Sequence, residues 1–246
     1  MAINKNSNLY TIVYTVVMVV IVGALLAVVS TSLKDLQDAN VLNEQKVSIL
    51  KAAGNENGDF DAMVKMGYVS AKDNVCYLVD SKDTATVDEI FQLLSNRKEL
   101  AATKEMLPIF IYEDKNVATY VIPLVGKGLW NDIWGYIALQ NVAGNIVVEG
   151  IVMDHAGETP GLGAEIANKD VQATFVGKQL YYGGEFALAM RKGGAKNLAC
   201  EVDAITGGTK TCDGVNDMLK NSIDKYHAFL LNPQYVDVKP VKGEEE

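Results

Sequence analysis

The sequence predicts an α+β protein: one N-terminal transmembrane helix, then a soluble domain with an antiparallel sheet flanked by helices. Three observations carry this prediction. Tyr10–Leu33 is an uncharged apolar run of bilayer length. After residue 107 come two pairs of apolar runs, each pair joined by a short turn-forming stretch. No strand–helix–strand alternation accompanies them, which excludes a doubly wound parallel sheet.

The elements follow in order. Nothing charged lies between Lys5 and Lys34, and a helix over this run reaches about 30 Å or more, the thickness of the hydrocarbon core. A cleaved signal peptide would need a shorter run, a more basic start and a small-x-small exit. The exit here, AVVSTSLKDL, has no A-x-A, so the segment reads as a retained anchor. Lys5 precedes the span without acidic neighbours, while Lys34, Asp35 and Asp38 follow it. The positive-inside rule therefore predicts a cytoplasmic start and an exported body. A single span forms no ion pathway by itself.

Beyond the anchor, Leu36, Val41, Leu42, Ile49 and Leu50 recur at helical spacing up to Gly54, predicting an amphipathic helix that continues outward. NENGDFDAMVKMG (55–67) reads as a polar turn and VCYLVD (75–80) as a strand. Residues 86–106 have helix-like composition with poor periodicity. Two hairpins are predicted, over 107–126 with a turn at Glu113-Asp114-Lys115-Asn116, and over 133–155 with a turn at Ala143-Gly144-Asn145. EFALAMRKGG (185–194) reads as a further strand. GVNDMLKNSIDKYHAFLL (214–231) reads as a helix with Val215, Met218, Leu219, Ile223, Tyr226 and Leu230 on one face. The implied divisions are an anchor over 1–34, a membrane-proximal α+β region over 35–106, a main domain over 107–232 and a tail over 233–246, its KGEEE end frayed.

A hydrophobic content of 49%, with 22% charged residues, fits an ordinary folded chain. A net charge of −9 argues against a nucleic-acid partner. Cys76, Cys200 and Cys212 form no C-x-x-C and no metal-ligand cluster with His155 or His227. They read as small apolar fillers, with a Cys200–Cys212 disulfide as the alternative in an oxidising compartment. His155 reads as closing a strand end rather than shuttling protons or binding a ligand, and His227 as structural. No Ser-His-Asp or Cys-His arrangement is present, so no catalytic residue is assigned. Trp130 and Trp134 read as core packing, with a partner-facing role as the alternative.

Two glycine-rich loops stand apart. DAITGGTKTCDG (203–214) lies between a strand end and the final helix. Gly207 and Gly208 remove Cβ atoms that would block close approach. Lys210 supplies positive charge, and Thr211 or Asp213 is placed to cap a helix whose free N–H groups suit a phosphate. Neither a Walker A nor a G-x-G-x-x-G pattern is matched. A strand-to-helix turn with a threonine cap explains the same residues without a ligand. DHAGETPGLGAEI (154–166) follows a strand and can present successive bare N–H groups to a planar polar ring, or serve as an elaborate loop alone.

DAITGGT resembles the flavinylation motif of the FMN-binding domain family, D-x-x-[ST]-G-A-[ST], and ETPGLG resembles that family's second hallmark. Together with KGLWNDIWGYIAL, the anchor and LNEQKVSILKAAG, they make nearly the whole chain similar to the C-subunit family of the Na⁺-translocating NADH:quinone oxidoreductases. The Trp130–Leu139 stretch favours it over the G subunit of the Rnf electron-transport complex, the nearest alternative; a cofactor-free, membrane-anchored binding or scaffold protein is the other. The resemblance implies an electron-transfer subunit of a sodium-pumping complex with covalent FMN, other subunits as partners and a flavin transferase for maturation. It further implies membrane lipid around the anchor and a soluble domain on the periplasmic side of a bacterial inner membrane. That transferase uses FAD and Mg²⁺, so the Thr209 hydroxyl, in an exposed loop, would attack phosphorus and displace AMP, with activation supplied by the transferase. Asp203, Thr206, Gly207 and Gly208 would form the recognition sequence beside Lys210. Glu158, Thr159, Gly161, Leu162 and Gly163 would touch the flavin. Gly208 departs from the family pattern, which has Ala there.

Overall fold

The computed structural model describes residues 8–114 and 117–237. Lys5, the Lys115-Asn116 half of the first predicted turn and the KGEEE end lie outside the described residues. The chain divides into two compact units, 1–44 and 45–246. From residue 8 the first belongs to a helix long and apolar enough to cross a membrane, with Leu9 and the large aliphatic side chains from Ile12 to Leu33 exposed. That helix, α1 (Asn8–Ala52), runs unbroken through the predicted amphipathic stretch. Leu36 and Val41 stand exposed, whereas Ile49 and Leu50 are buried. Gly54, at φ +81°, follows its end, a left-handed position that suits glycine.

The second unit is built on a seven-stranded sheet. In chain order its parts are α2 (Phe60–Met63), β1 (Val64–Ser70), β2 (Cys76–Val79), α3 (Thr84–Ser95) and α4 (Arg97–Ala102), then the long strands β3 (Met106–Asp114), β4 (Val117–Lys127), β5 (Asp132–Val142) and β6 (Asn145–His155). After α5 (Lys169–Ala173) come the short strands β7 (Tyr181–Tyr182), β8 (Glu185–Phe186), β9 (Ala189–Arg191) and β10 (Glu201–Asp203). The chain closes with α6 (Thr209–Ile223), α7 (His227–Leu231) and β11 (Tyr235–Asp237). The sheet order is β11-β2-β1-β3-β4-β5-β6. Every neighbouring pair is antiparallel except β11, which joins β2 in parallel.

Both predicted hairpins form. Ala143 and Gly144, at φ +51° and +87°, make the two-residue connection whose twist matches paired strands. Where Ala138 faces Gly150 and Leu139 faces Val148, Glu149 is an extra residue, and β6 bulges.

Four predictions need correction. Residues 60–70, read partly as a turn, form α2 and β1, a strand inside the sheet. Gly67 hides it, and Gly67 is required: a Cβ there would lie 2.7 Å from the Tyr77 carbonyl oxygen and 2.8 Å from Cys76 Sγ. Residues 84–102 form two helices, broken where Asn96 caps α4, which explains the poor periodicity. EFALAMRKGG gives only β8 and β9, because Leu188 and Ala187 turn back to bond Leu180. Tyr235–Asp237, in the segment read as a tail, adds the edge strand β11.

The sheet buries both faces. Ile109, Ile111, Ile122, Leu124, Ile133 and Ile137 share one core with Val215, Met218, Leu219 and Ile223 of α6. Also in that core are Tyr226, from a 3₁₀ turn at Asp224–Tyr226, and Leu230, so the predicted helical face is realised through that turn into α7. Elsewhere Phe110 meets Phe60, Phe91 and Tyr136 edge-on or tilted, with ring centroids 6.2–6.5 Å apart. Cys76, Cys200 and Cys212 are free and buried, without the Cys200–Cys212 disulfide. His227 stacks on Tyr181 at 4.1 Å, consistent with its structural reading.

Helix α6 lies close on β4 because each surface offers a glycine at the contact, Gly214 against the Lys127 backbone and Gly126 beneath Met218. A Cβ on Gly214 would collide with the Lys127 carbonyl oxygen, and one on Gly126 would meet Met218 Cβ at 2.6 Å. Gly214→Ala is therefore expected to destabilise the fold by about 1–3 kcal/mol through overpacking. That corresponds to about 2–4 °C per kcal/mol in melting temperature for a domain of this size. Gly157→Ala, whose Cβ would meet nothing within 4 Å, is the control. Equal melting temperatures in detergent would contradict the close-approach argument.

Candidate functional site

Three connections meet at one end of the sheet: residues 128–131 between β4 and β5, the loop after β6, and the loop leading into α6. The first is a tight turn closed by Gly128 N donating to the Asn131 carbonyl at 2.8 Å. The second runs from His155 to a 3₁₀ turn at Gly163–Ala167. His155 Nδ1 accepts from Glu158 N at 3.2 Å, closing the strand end as predicted.

Glu158 joins all three. Only 4% of it is exposed. Its Oε1 accepts from Trp130 N at 2.9 Å and Asn131 N at 3.4 Å, and its Oε2 accepts from Thr211 Oγ1 at 2.6 Å. Burial pushes the carboxyl pKa up, but the Thr211 hydroxyl and the main-chain N–H groups of Trp130, Asn131 and Leu129 outweigh it. The net value lies below the ordinary carboxylate range. Two glycines make room for this ion. A Cβ at Gly128 would lie 2.5 Å from Glu158 Oε1, and one at Gly163 would lie 2.7 Å from Oε2 and collide with Thr211 Oγ1.

The two glycine loops face each other. A Cβ on Gly207, at φ +78°, would lie 2.6 Å from Leu162 Cδ2, so the Leu162 side chain lies over that bare backbone. Gly208 is buried next to Gly163, and a Cβ there would lie 3.2 Å from Ile205 Cγ2. An alanine thus fits after a shift of a few tenths of an ångström. Thr209 is half-buried and is the first residue of α6, not part of an exposed loop. The helix starts at Gly208 with no side-chain cap. The prediction that Thr211 or Asp213 caps it is overturned. Thr211 turns inward to Glu158, and Asp213 Oδ2 lies 3.6 Å from exposed Lys210 Nζ. The N–H groups of this uncapped first turn have no carbonyl partner inside the helix.

Not every candidate joins this cluster. Thr206 and Gly161 are exposed, and Gly161 N donates to Glu165 Oε1 at 3.2 Å. Asp203 Oδ1 accepts from Ala195 N at 2.7 Å and so holds the loop before β10. Glu201 grips the same loop. The N–H groups of Asn197 and Lys196, then the Arg191 guanidinium, hold its carboxyl at about 2.

Trp130 corrects the core-packing prediction. It is 69% exposed, with its Nε1–H donated to Thr159 Oγ1 at 3.2 Å, and Leu129 and Leu162 are exposed beside the same loops. Trp134 is half-buried beneath the Arg97 guanidinium, 3.4 Å from the ring centre. The sequence signal for Trp130 is its setting, a turn with Gly128 and Asn131 rather than an alternating strand. Sequence reasoning misses Thr211, Leu129 and Gly128 in these contacts. Burial of Thr211 depends on a partner 53 positions away, which no local pattern reveals.

The family model of the FMN-binding domain matches residues 128–224, a span that begins at the first of these loops and ends just beyond α6. The C subunit of the Na⁺-translocating NADH-quinone reductase of Haemophilus ducreyi is 30% identical over 88% of this chain and 90% of its own length. The Pseudomonas aeruginosa C subunit is 29% identical over 93% of this chain and 97% of its own. Among solved structures, the C subunit from Parabacteroides distasonis superposes with a TM-score of 0.65 at 30% identity. The match covers 82% of this chain and 98% of that one.

Glu158 yields a test of the site's electrostatics. Its lowered pKa contributes stability that is fully present above the ordinary glutamate value of about 4.3 and lost as pH falls through the lower folded-state value. Glu158→Ala should cost about 1–3 kcal/mol, because Thr211 and two N–H groups lose a buried acceptor. Glu158→Gln should flatten the drop in melting temperature below about pH 4, while Glu201 keeps a residual slope in both proteins. Identical acid slopes would mean that the carboxylate is not held as described.

Proposed function

This chain belongs to the C-subunit family of Na⁺-translocating NADH-quinone reductases, and from that premise we propose that it is a membrane-anchored electron-transfer subunit with FMN held as a phosphoester on Thr209. The observation that carries this reading is the place of Thr209. Its hydroxyl sits at the first residue of α6, beside bare Gly207 and a first turn whose N–H groups have no helical partner.

The residues present fit such a group. The first-turn N–H groups and the helix dipole would hold the phosphate oxygens, an interaction worth about 0.3–1 kcal/mol where exposed. Lys210 adds a cation at the solvent side. The Trp130 indole, fixed by Thr159, and the exposed Leu162 and Leu129 offer apolar surface to a planar ring. Gly208 in place of the family's Ala leaves the motif able to enter a transferase, since the position is smaller, not larger. Bound FMN supplies electron transfer, while the protein supplies orientation and electrostatics. The tether keeps the group from being lost on the periplasmic side, where α1 would leave the soluble unit. NADH oxidation, quinone reduction and the sodium path belong to the other members of the complex, because one helix offers no ion route.

The chain should be produced with a flavin transferase and run on a denaturing gel. Its band should fluoresce, and Thr209→Ala should abolish the fluorescence while leaving the melting temperature close to wild type. Fluorescence that survives in the Ala variant would move the attachment elsewhere. Thr206 would be the next candidate, because the Thr211 hydroxyl is buried and already donated to Glu158.

A further inference from the structure

We propose that Thr211 is a positioning residue: through its buried bond to Glu158 it fixes the start of α6, and with it the orientation of the Thr209 side chain. The proposal rests on the reading of Thr209 as the flavin-bearing residue. Helix α6 has no side-chain cap at Gly208; locally its first turn is tied only to the loop before it, by Ile205 N donating to Cys212 Sγ at 3.4 Å and Gly208 N donating to the Ile205 carbonyl at 3.0 Å. What ties that turn to the neighbouring loops is a tertiary bond, Thr211 Oγ1 to Glu158 Oε2 at 2.6 Å, with Thr211 only 1% exposed. Glu158 is itself tied to the 128–131 turn by the N–H groups of Trp130 and Asn131. The helix start is therefore referenced to the sheet through a chain of three hydrogen-bonded segments.

Helical geometry explains why the anchor is at 211 and the acceptor at 209. Two residues along an α-helix are separated by about 200° around its axis, since one turn takes 3.6 residues. Pinning Thr211 against the protein thus turns Thr209 away from that contact. Thr211 touches no ligand in this scheme. It acts on the orientation of its neighbour and leaves the chemistry of attachment to the transferase.

The test uses the full chain, produced with the transferase, as wild type, Thr211→Val, Thr211→Ser and Glu158→Gln. Flavin fluorescence in the denatured gel band reads attachment. Visible circular dichroism and fluorescence anisotropy of the folded protein read how firmly the flavin is held. Thr211→Val, which removes the hydroxyl at nearly constant volume, should lose most of the visible dichroism and show lower anisotropy. Thr211→Ser, which restores the donor, should keep both. A merely structural role would lower the melting temperature of Thr211→Val and leave these signals per bound flavin unchanged, and that result overturns the proposal. If Thr211→Val does not fold, the contrast between Glu158→Gln and Thr211→Ser carries the same decision. Loss in the first with retention in the second supports the proposal, and equal signals overturn it. A dark wild-type band would overturn the attachment reading and this proposal together, whereas a bright wild-type band with unchanged variants overturns this proposal alone.

Discussion

The functional end of this molecule depends on one buried anion that has no counter-cation among the described residues. An isolated carboxylate removed from water is costly enough that it normally takes up a proton. Glu158 stays below the ordinary range because donors surround it: one hydroxyl and main-chain N–H groups of a single tight turn. Those donors come from separate stretches of chain, so the ion can be satisfied only when all of them are in place. The socket is also defined by what is missing, since a Cβ at either Gly128 or Gly163 would occupy the space of the carboxylate or its partner. Removing one partner from such an arrangement exposes the full desolvation cost of the others, which makes it a stricter determinant of geometry than apolar packing.

The sheet makes that convergence geometrically possible. Strands β4, β5 and β6 are long, neighbouring and antiparallel, so the end of β4, the start of β5 and the end of β6 fall at one edge. Helix α6 is brought to the same edge by its glycine-to-backbone contact with β4. The helix therefore arrives with its first turn above the strand ends, where the 154–163 loop leaves the sheet. The second grip, by Asp203 and Glu201 on the loop before β10, fixes the approach to that turn from the other side. Rigid elements thus hold a site made almost wholly of loops, a division common where loops carry function.

What is legible in the sequence is what local pattern encodes. The apolar anchor, the two hairpins with their Ala143-Gly144 connection, and the face of α6 all follow from period and turn chemistry. Both glycine loops are visible as motifs, and the structure brings them face to face. What stays hidden depends on partners distant along the chain. Strand β1 is masked by Gly67, a residue present because the neighbouring strand passes too close for a side chain. Strand β11 is three residues long and exists only because β2 offers an open edge. Tryptophans usually point inward, yet the turn that holds Trp130 projects it outward with its N–H bonded to Thr159. Position near a helix start marks Thr211 as a local cap, but the tertiary bond to Glu158 wins. In each case the composition is informative, and the deciding neighbour lies elsewhere.

The same logic bears on how a chain of net charge −9 would keep a phosphate group. The overall field repels an anion, and near Thr209 the added cation is an exposed lysine already facing Asp213. A helix N-terminus contributes about 1 kcal/mol at most where exposed, too little to retain a dianionic monoester by itself. Esterification to a side-chain hydroxyl changes the problem in two ways. It leaves one ionisable oxygen where a free monoester carries about −1.5 to −2 charges at neutral pH, which reduces the repulsion. It also makes retention covalent, so the N–H groups have only to orient the group and not to bind it against dilution. Under the proposed reading, a firmly held hydroxyl is worth more to this protein than a strong anion site. On that reading the buried bond behind it, and not the lysine beside it, would carry the weight of the arrangement.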